Sequence, residues 1–196
     1  MQRSWRLFGS ILAVAALFVA AAPLLSAPMQ ATPVSAASLA APAAERPSWH
    51  YLPLTDARTG QSFTLADFEG KTVYVEPMAT WCTNCRQQMG VIRDQVLAQV
   101  DPEQVVFVGL SVETNLASET LASYADTYGF PWTFAVMTPE LLQELATSFG
   151  RTVTNPPAVP HFAIGPTGAT SDLSTGFHSA DRLLERLSAA GMMVQP

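Results

Sequence analysis

The sequence predicts an α/β fold, a mixed and mostly parallel sheet flanked by helices. Three observations carry this. Thr72–Val75 and Val105–Val112 are apolar, strand-like runs, and the second suits a strand buried on both faces. Stretches with apolar residues at helical spacing separate and follow them. Near the C-terminal end, Pro160–Gly165 and Thr170–Ser174 flank a Pro166-Thr167-Gly168 turn, which adds an antiparallel edge.

The chain has 196 residues, enough for one domain of ordinary size with appendages. Residues 1–27 read as a signal peptide or N-terminal membrane anchor: Arg3 and Arg6 precede an uncharged stretch over residues 7–27. Ile11–Ala22 has the length of a signal core, whereas the run to Ala27 could just span a bilayer. Pro23 is a poor neighbour for cleavage after Ala20-Ala21-Ala22, and Ser35-Ala36-Ala37 is a later site. No cysteine lies near this segment, which excludes lipid attachment there. Residues 28–48 form an Ala/Pro-rich linker, since Pro28, Pro33, Pro42 and Pro47 forbid a long helix and the composition cannot form a core. The folded domain is expected over residues 49–196.

Tyr51–Leu54 and Gln61–Phe63 flank turn residues Asp56–Gly60 and predict an N-terminal hairpin. Thr64–Lys71 is a turn of helix and a loop. The first core strand is Thr72–Glu76. Met89, Ile92, Val96 and Val100 then mark one face of a helix over about 82–99, ended by Asp101-Pro102. After the second strand, Leu116–Tyr128 is helical and stops at Gly129 and Pro131. Trp132–Met137 is a short strand. Pro139–Phe149 is a helix with Leu142, Leu145 and Phe149 on one face and Gly150 at its end. A last amphipathic helix runs over Ala180–Ala190.

The chemistry concentrates in Glu76–Arg86, Glu-Pro-Met-Ala-Thr-Trp-Cys-Thr-Asn-Cys-Arg, which holds the only two cysteines, Cys82 and Cys85. Two thiols two residues apart where a strand meets a helix read as a redox pair. Free N–H groups and the helix dipole favour a thiolate at the helix start. A thiolate is the attacking species in disulfide exchange. One turn of helix brings Cys85 close enough to bridge Cys82. The bland alternative is half a zinc site or a chance pair.

This stretch resembles the thioredoxin superfamily, and its Ala-Thr-Trp-Cys-x-x-Cys form is most similar to the exported TlpA/ResA-like thiol–disulfide oxidoreductases. The resemblance spans about residues 51–190. The Leu65-Ala66-Asp67-Phe68-Glu69-Gly70-Lys71 segment also resembles the TlpA-like and peroxiredoxin-like branches. A thioredoxin-like fold is implied, with the N-terminal hairpin and a central helix-strand insertion over about 116–137. Cys82 is implied as nucleophile and Cys85 as resolving thiol, with Trp81 beside them as a substrate contact. Val159–Pro160 matches the position of a cis-proline whose preceding residue pairs its backbone with the substrate; the alternative is a proline that merely opens a strand. Glu76 matches a buried acid beneath the second cysteine. Burial should raise its pKa and suit it to accept the Cys85 proton; otherwise it tilts to the surface or pairs with an arginine. The chain departs from the family in Pro77, Met78 and Gln88, the last where many relatives carry glutamate. His161 is expected to lie near Cys82 or line the substrate groove, or to have no role. His50 and His178 read as surface residues. Thr83-Asn84 between the cysteines, lacking histidine and proline, suggests an intermediate to reducing potential.

The expected function is thiol–disulfide exchange in the cell envelope, reducing protein disulfides through a mixed disulfide. No cofactor and no metal are implied. Partners would be protein thiols or disulfides and a membrane or exported electron donor, with a periplasmic or other extracytoplasmic location and anchoring through residues 7–27 as an option. The net charge is −6, or −8 without Arg3 and Arg6, and the absence of a basic patch speaks against nucleic acid. Two alternatives share the fold. A Sco-like copper protein could use both cysteines and a distant histidine, although that branch spaces its cysteines by three. A thiol peroxidase would space its proline, threonine and cysteine differently from Pro77, Thr80 and Cys82.

Overall fold

The computed structural model describes residues 46–191. The expected leader and most of the linker lie outside these residues. The described chain begins with Arg46, which pairs with Glu69 at 2.8 Å. Ser48–Tyr51 follows as a 3-10 turn and buries Trp49 and His50.

A two-stranded antiparallel hairpin, β1 (Leu54–Thr55) and β2 (Ser62–Phe63), stands as its turn chemistry predicts. Asp56 accepts from the backbone N–H groups of Arg58 and Thr59, which closes the turn. The Thr64 N–H then donates to the Asp67 carboxylate at 2.7 Å and starts the turn Leu65–Phe68.

The main sheet has four strands in the order β5-β4-β3-β6. They are β3 (Thr72–Met78), β4 (Val105–Ser111), β5 (Thr133–Val136) and β6 (Phe162–Ile164). The first three run parallel and β6 is antiparallel to β3. Every residue of β3 is buried, the acid Glu76 included, as expected for a strand covered on both faces. The sheet is thus mixed and the fold is thioredoxin-like.

Side chains alternate across β3 and divide the core. Val73 and Val75 face a cluster with Val108, Leu110, Phe162 and the helix α3 (Pro139–Phe149). Tyr74 faces Phe107, Ile92, Val96 and the helix α4 (Ala180–Ala189). Met78 joins Cys82, Cys85, Met89 and residues of α2 (Ser118–Thr127). Helices therefore cover both faces. Their ends follow local chemistry: Thr138 caps α3 with Pro139 next, and Gly150 ends it at φ 79°. Ser179 caps α4.

Two expectations change in detail. The single helix over 82–99 is α1 (Thr83–Val91) continued by a π turn, Ile92–Val96, and a 3-10 turn, Leu97–Gln99. The wider turn still buries both Ile92 and Val96. The strand at Thr170–Ser174 is reduced to two isolated pairs, Ile164 with Thr170 and His161 with Ser174. Between the two pairs three residues, 171–173, oppose two, 162–163, a bulge. The Ser171 hydroxyl takes the Ala163 N–H at 2.9 Å and so replaces a backbone partner of the ladder.

Candidate active site

β3 delivers the chain to the carboxyl end of the sheet, where Ala79–Trp81 turn it into α1. Cys82 is the N-cap of α1, with its sulfur 3.1 Å from the Cys85 N–H. That bond satisfies one of the free amides of the helix start and would favour negative charge on the sulfur of a reduced pair. The two cysteines are bridged, with Cα atoms 5.4 Å apart, inside the usual disulfide range. Cys85 is fully buried and Cys82 nearly so. Trp81 is 60% exposed, a large ring left on the surface beside the bridge.

The loop before Cys82 has an anchor that sequence reading missed. The Glu113 carboxylate accepts from the Thr80 N–H at 2.6 Å and from the Thr80 hydroxyl at 2.9 Å. It also accepts from Ser111 at 3.3 Å. Glu113 lies just past β4, adjacent to β3 in the sheet, and only pairing of these strands brings it to Thr80.

The turn Pro156–Ala158 lies against the bridge. Pro156 O is 3.2 Å from Cys85 Sγ, and the Asn84 side chain donates to Pro157 O at 3.0 Å. Gly176 N–H holds the turn from the other side, donating to Ala158 O at 2.7 Å. The turn ends at Val159, which has φ 49° and ψ 57°. One expectation is corrected here. The Val159–Pro160 bond is trans, since no peptide is cis among the described residues. The chain is redirected by the left-handed Val159 itself. The Val159 N–H donates to Pro156 O at 2.7 Å, and its carbonyl lies 3.0 Å from His161 Nδ1.

Glu76 is buried on β3, on the same face as Tyr74 and Met78. The Tyr74 hydroxyl donates to its Oε2 at 3.4 Å, and Oε1 has no hydrogen-bond partner among the described residues. Loss of water pushes its carboxyl well above the usual range, as expected for an isolated buried acid.

His161 is fully buried. No hydrogen bond joins it to either sulfur; it instead contacts Val159 O and His178 Nδ1. Burial lowers its pKa to about 4. His50 and His178 depart from the surface reading. His50 is buried against Thr170, 3.1 Å away. His178 is half-buried and held by Gln88. Among the described residues no group of three or more histidine, cysteine or acidic side chains is placed to hold a metal ion. No helix among them is long and apolar enough to cross a membrane.

Known proteins share this fold. No curated protein sequence matches the chain. A thioredoxin-family thiol:disulfide interchange protein from Chlorobium tepidum is 24% identical, with TM-score 0.57 over 71% of this chain and 92% of that one. BsSco, of the Sco family of cytochrome c oxidase assembly proteins, is 17% identical, with TM-score 0.58 over 71% and 90%. A secreted disulfide oxidoreductase of Mycobacterium tuberculosis is 19% identical, with TM-score 0.51 over 70% and 95%. These likenesses establish the thioredoxin-like fold. The family model for AhpC/TSA matches residues 39–167, the span that carries the bridge, the turn over it and the sheet beneath, and the chain belongs to the AhpC/TSA family.

Proposed function

We propose that this protein is a thiol–disulfide oxidoreductase that reduces protein disulfides outside the cytoplasm. The observation that carries the reading is the Cys82–Cys85 bridge at the N-terminus of α1, with the Cys85 amide aimed at the Cys82 sulfur. In the reduced protein, the Cys82 thiolate attacks one sulfur of a client disulfide. A Cys82–client bond forms and the client's other sulfur leaves as a thiolate, which takes up a proton. Cys85 loses its proton and attacks Cys82, so the client's second thiol departs and the internal bridge forms. The client gains two electrons and the pair loses two. A donor dithiol then restores the pair.

Glu76 is the proposed acceptor of the Cys85 proton. Its raised pKa supports this, as does its place on the β3 face next to Met78, which packs in the cluster around the bridge. Trp81 is the proposed client contact. Val159, Pro160 and His161 form the wall behind the turn, and a client that pairs with the Val159 backbone must first displace its internal bonds. The basic and apolar residues 1–27 support export, with or without retention as an anchor.

The test is trapping. Cys85→Ser should accumulate mixed disulfides with envelope proteins, and Cys82→Ser should accumulate none. Equal trapping by both variants, or by neither, overturns the proposal. The Sco-like and peroxidase readings predict stoichiometric copper binding lost in His161→Ala and peroxide consumption, respectively. Against the first, both ring nitrogens of His161 already have partners.

A further inference from the structure

Between the helix of the redox pair and the turn over it runs a line of hydrogen bonds with no part in the exchange steps. Gln88 is fully buried one turn beyond Cys85. Its Oε1 accepts from the His178 N–H at 2.6 Å and its Nε2 donates to the His178 carbonyl at 3.1 Å. Both backbone polar groups of His178 are thereby held. The His178 ring meets that of His161 edge-on, with centroids 4.6 Å apart and Nδ1 3.2 Å from His161 Nε2. His161 Nδ1 lies 3.0 Å from Val159 O.

The donors in this line are assigned by elimination. A carbonyl oxygen only accepts, so His161 Nδ1 carries the proton. The ring is stacked on Tyr74 at 5.5 Å and, with its pKa near 4, is neutral at pH 7. Its Nε2 is therefore bare. The 3.2 Å contact then requires the proton on His178 Nδ1. Protons point one way, from His178 to His161 to Val159.

We infer that His178, clamped by Gln88, is a positioning residue for the exchange reaction: through His161 it fixes the Val159 carbonyl and with it the turn over Cys82–Cys85. The inference rests on the exchange reading above. Valine at φ 49° is disfavoured and persists only where neighbours over-determine it. Here Pro156 holds its N–H and His161 its carbonyl. Without the His178 proton, His161 Nε2 becomes a buried acceptor with no partner, and its ring loses the contact that orients it. The charged and titratable groups that face the two rings are Tyr74 from β3 and Arg182 and Arg186 from α4. Burial first, and then the arginines, disfavour protonation of His178; burial, with a smaller effect of Arg186, does the same for His161, which keeps the directional pattern.

The experiment compares the full-length protein with His178→Ala and His178→Asn, whose amide nitrogen can donate from near the Nδ1 position. Imidazole ¹⁵N spectra at pH 7 read the His161 tautomer, and exchange kinetics with a disulfide-bonded peptide read function. Wild type should show His161 protonated on Nδ1. His178→Ala should lose that single tautomer and raise KM about tenfold, with kcat and the Cys82–Cys85 potential unchanged. His178→Asn should restore both readouts to within about twofold. The inference is overturned if wild-type His161 is protonated on Nε2, if alanine changes neither readout, or if asparagine is as impaired as alanine. Absence of exchange by wild type sinks the functional proposal instead; the tautomer and its dependence on His178 then decide this one.

Discussion

The Asn84 side-chain amide donates to the Pro157 carbonyl 3.0 Å away, so a residue between the two cysteines holds the turn that covers them. Asn84→Ala should release that turn. The bond is exposed to solvent, so the cost in stability is only ~0.5–1 kcal/mol. Reduction of the bridge by dithiothreitol, followed by stopped-flow fluorescence, should accelerate several-fold. An unchanged rate would show that the turn does not limit access to the sulfurs.

Glu113 secures the other approach to Cys82. Glu113→Ala strands the Thr80 N–H and hydroxyl and should cost ~1–3 kcal/mol. Glu113→Gln keeps an acceptor for the N–H and should recover about half of that loss. Urea unfolding of the oxidised proteins measures both. Equal stability of the two variants would contradict the hydrogen-bonding role.

Glu76 makes stability fall as pH rises. Its folded carboxyl binds a proton more tightly than the unfolded chain's, so stability is lost from the ordinary carboxylate range up through the raised folded pKa. Glu76→Gln should remove this decline above the ordinary carboxylate range and slow resolution of the mixed disulfide by Cys85. Calorimetric melts from mildly acidic to alkaline pH test the first effect, and quenched-flow trapping tests the second. A variant with the wild-type pH profile would show that Glu76 titrates normally.

His50 and His161 act in the opposite direction. Both are held near pKa 4, below the ordinary 6.5, by burial. Stability is full above pH 6.5 and is lost as pH falls toward 4, because the unfolded chain takes up protons first. Each contributes a slope approaching ~1.4 kcal/mol per pH unit. Glu76 opposes them above its unfolded value of 4.5, so the measurement belongs in the Glu76→Gln background. Denaturant midpoints that stay constant between pH 6.5 and 4.5 would refute the burial of these rings.

Gly109 lies on β4 opposite Glu76, with the Phe134 ring across it. A Cβ there would fall 2.6 Å from Phe134 Cδ1. That ring is stacked on Phe130 and Trp132 and has little room to yield. Gly109→Ala should therefore destabilise by ~1–3 kcal/mol. A change within ~0.5 kcal/mol, the range of ordinary surface substitutions, would show that the aromatic stack adjusts freely.

The redox pair, its place at the strand-to-helix junction, the α/β fold, and each strand of the main sheet to within a residue or two were legible in the chain. These are local matters: apolar runs, helical spacing, turn residues and a two-residue separation of thiols all act over a few positions. A buried, perturbed Glu76 was legible for the same reason, because an acid inside an apolar strand has little water to reach. The surroundings of the pair came from folding. Glu113 meets Thr80 across two strands, Gln88 meets His178 across 90 residues, and Ser171 breaks the last ladder. Val159 takes a left-handed turn rather than following a cis bond. Hydrogen bonds between residues far apart in sequence leave no periodic trace in it. Their partners are chosen by which backbone and side-chain groups the folded sheet and helices leave unsatisfied.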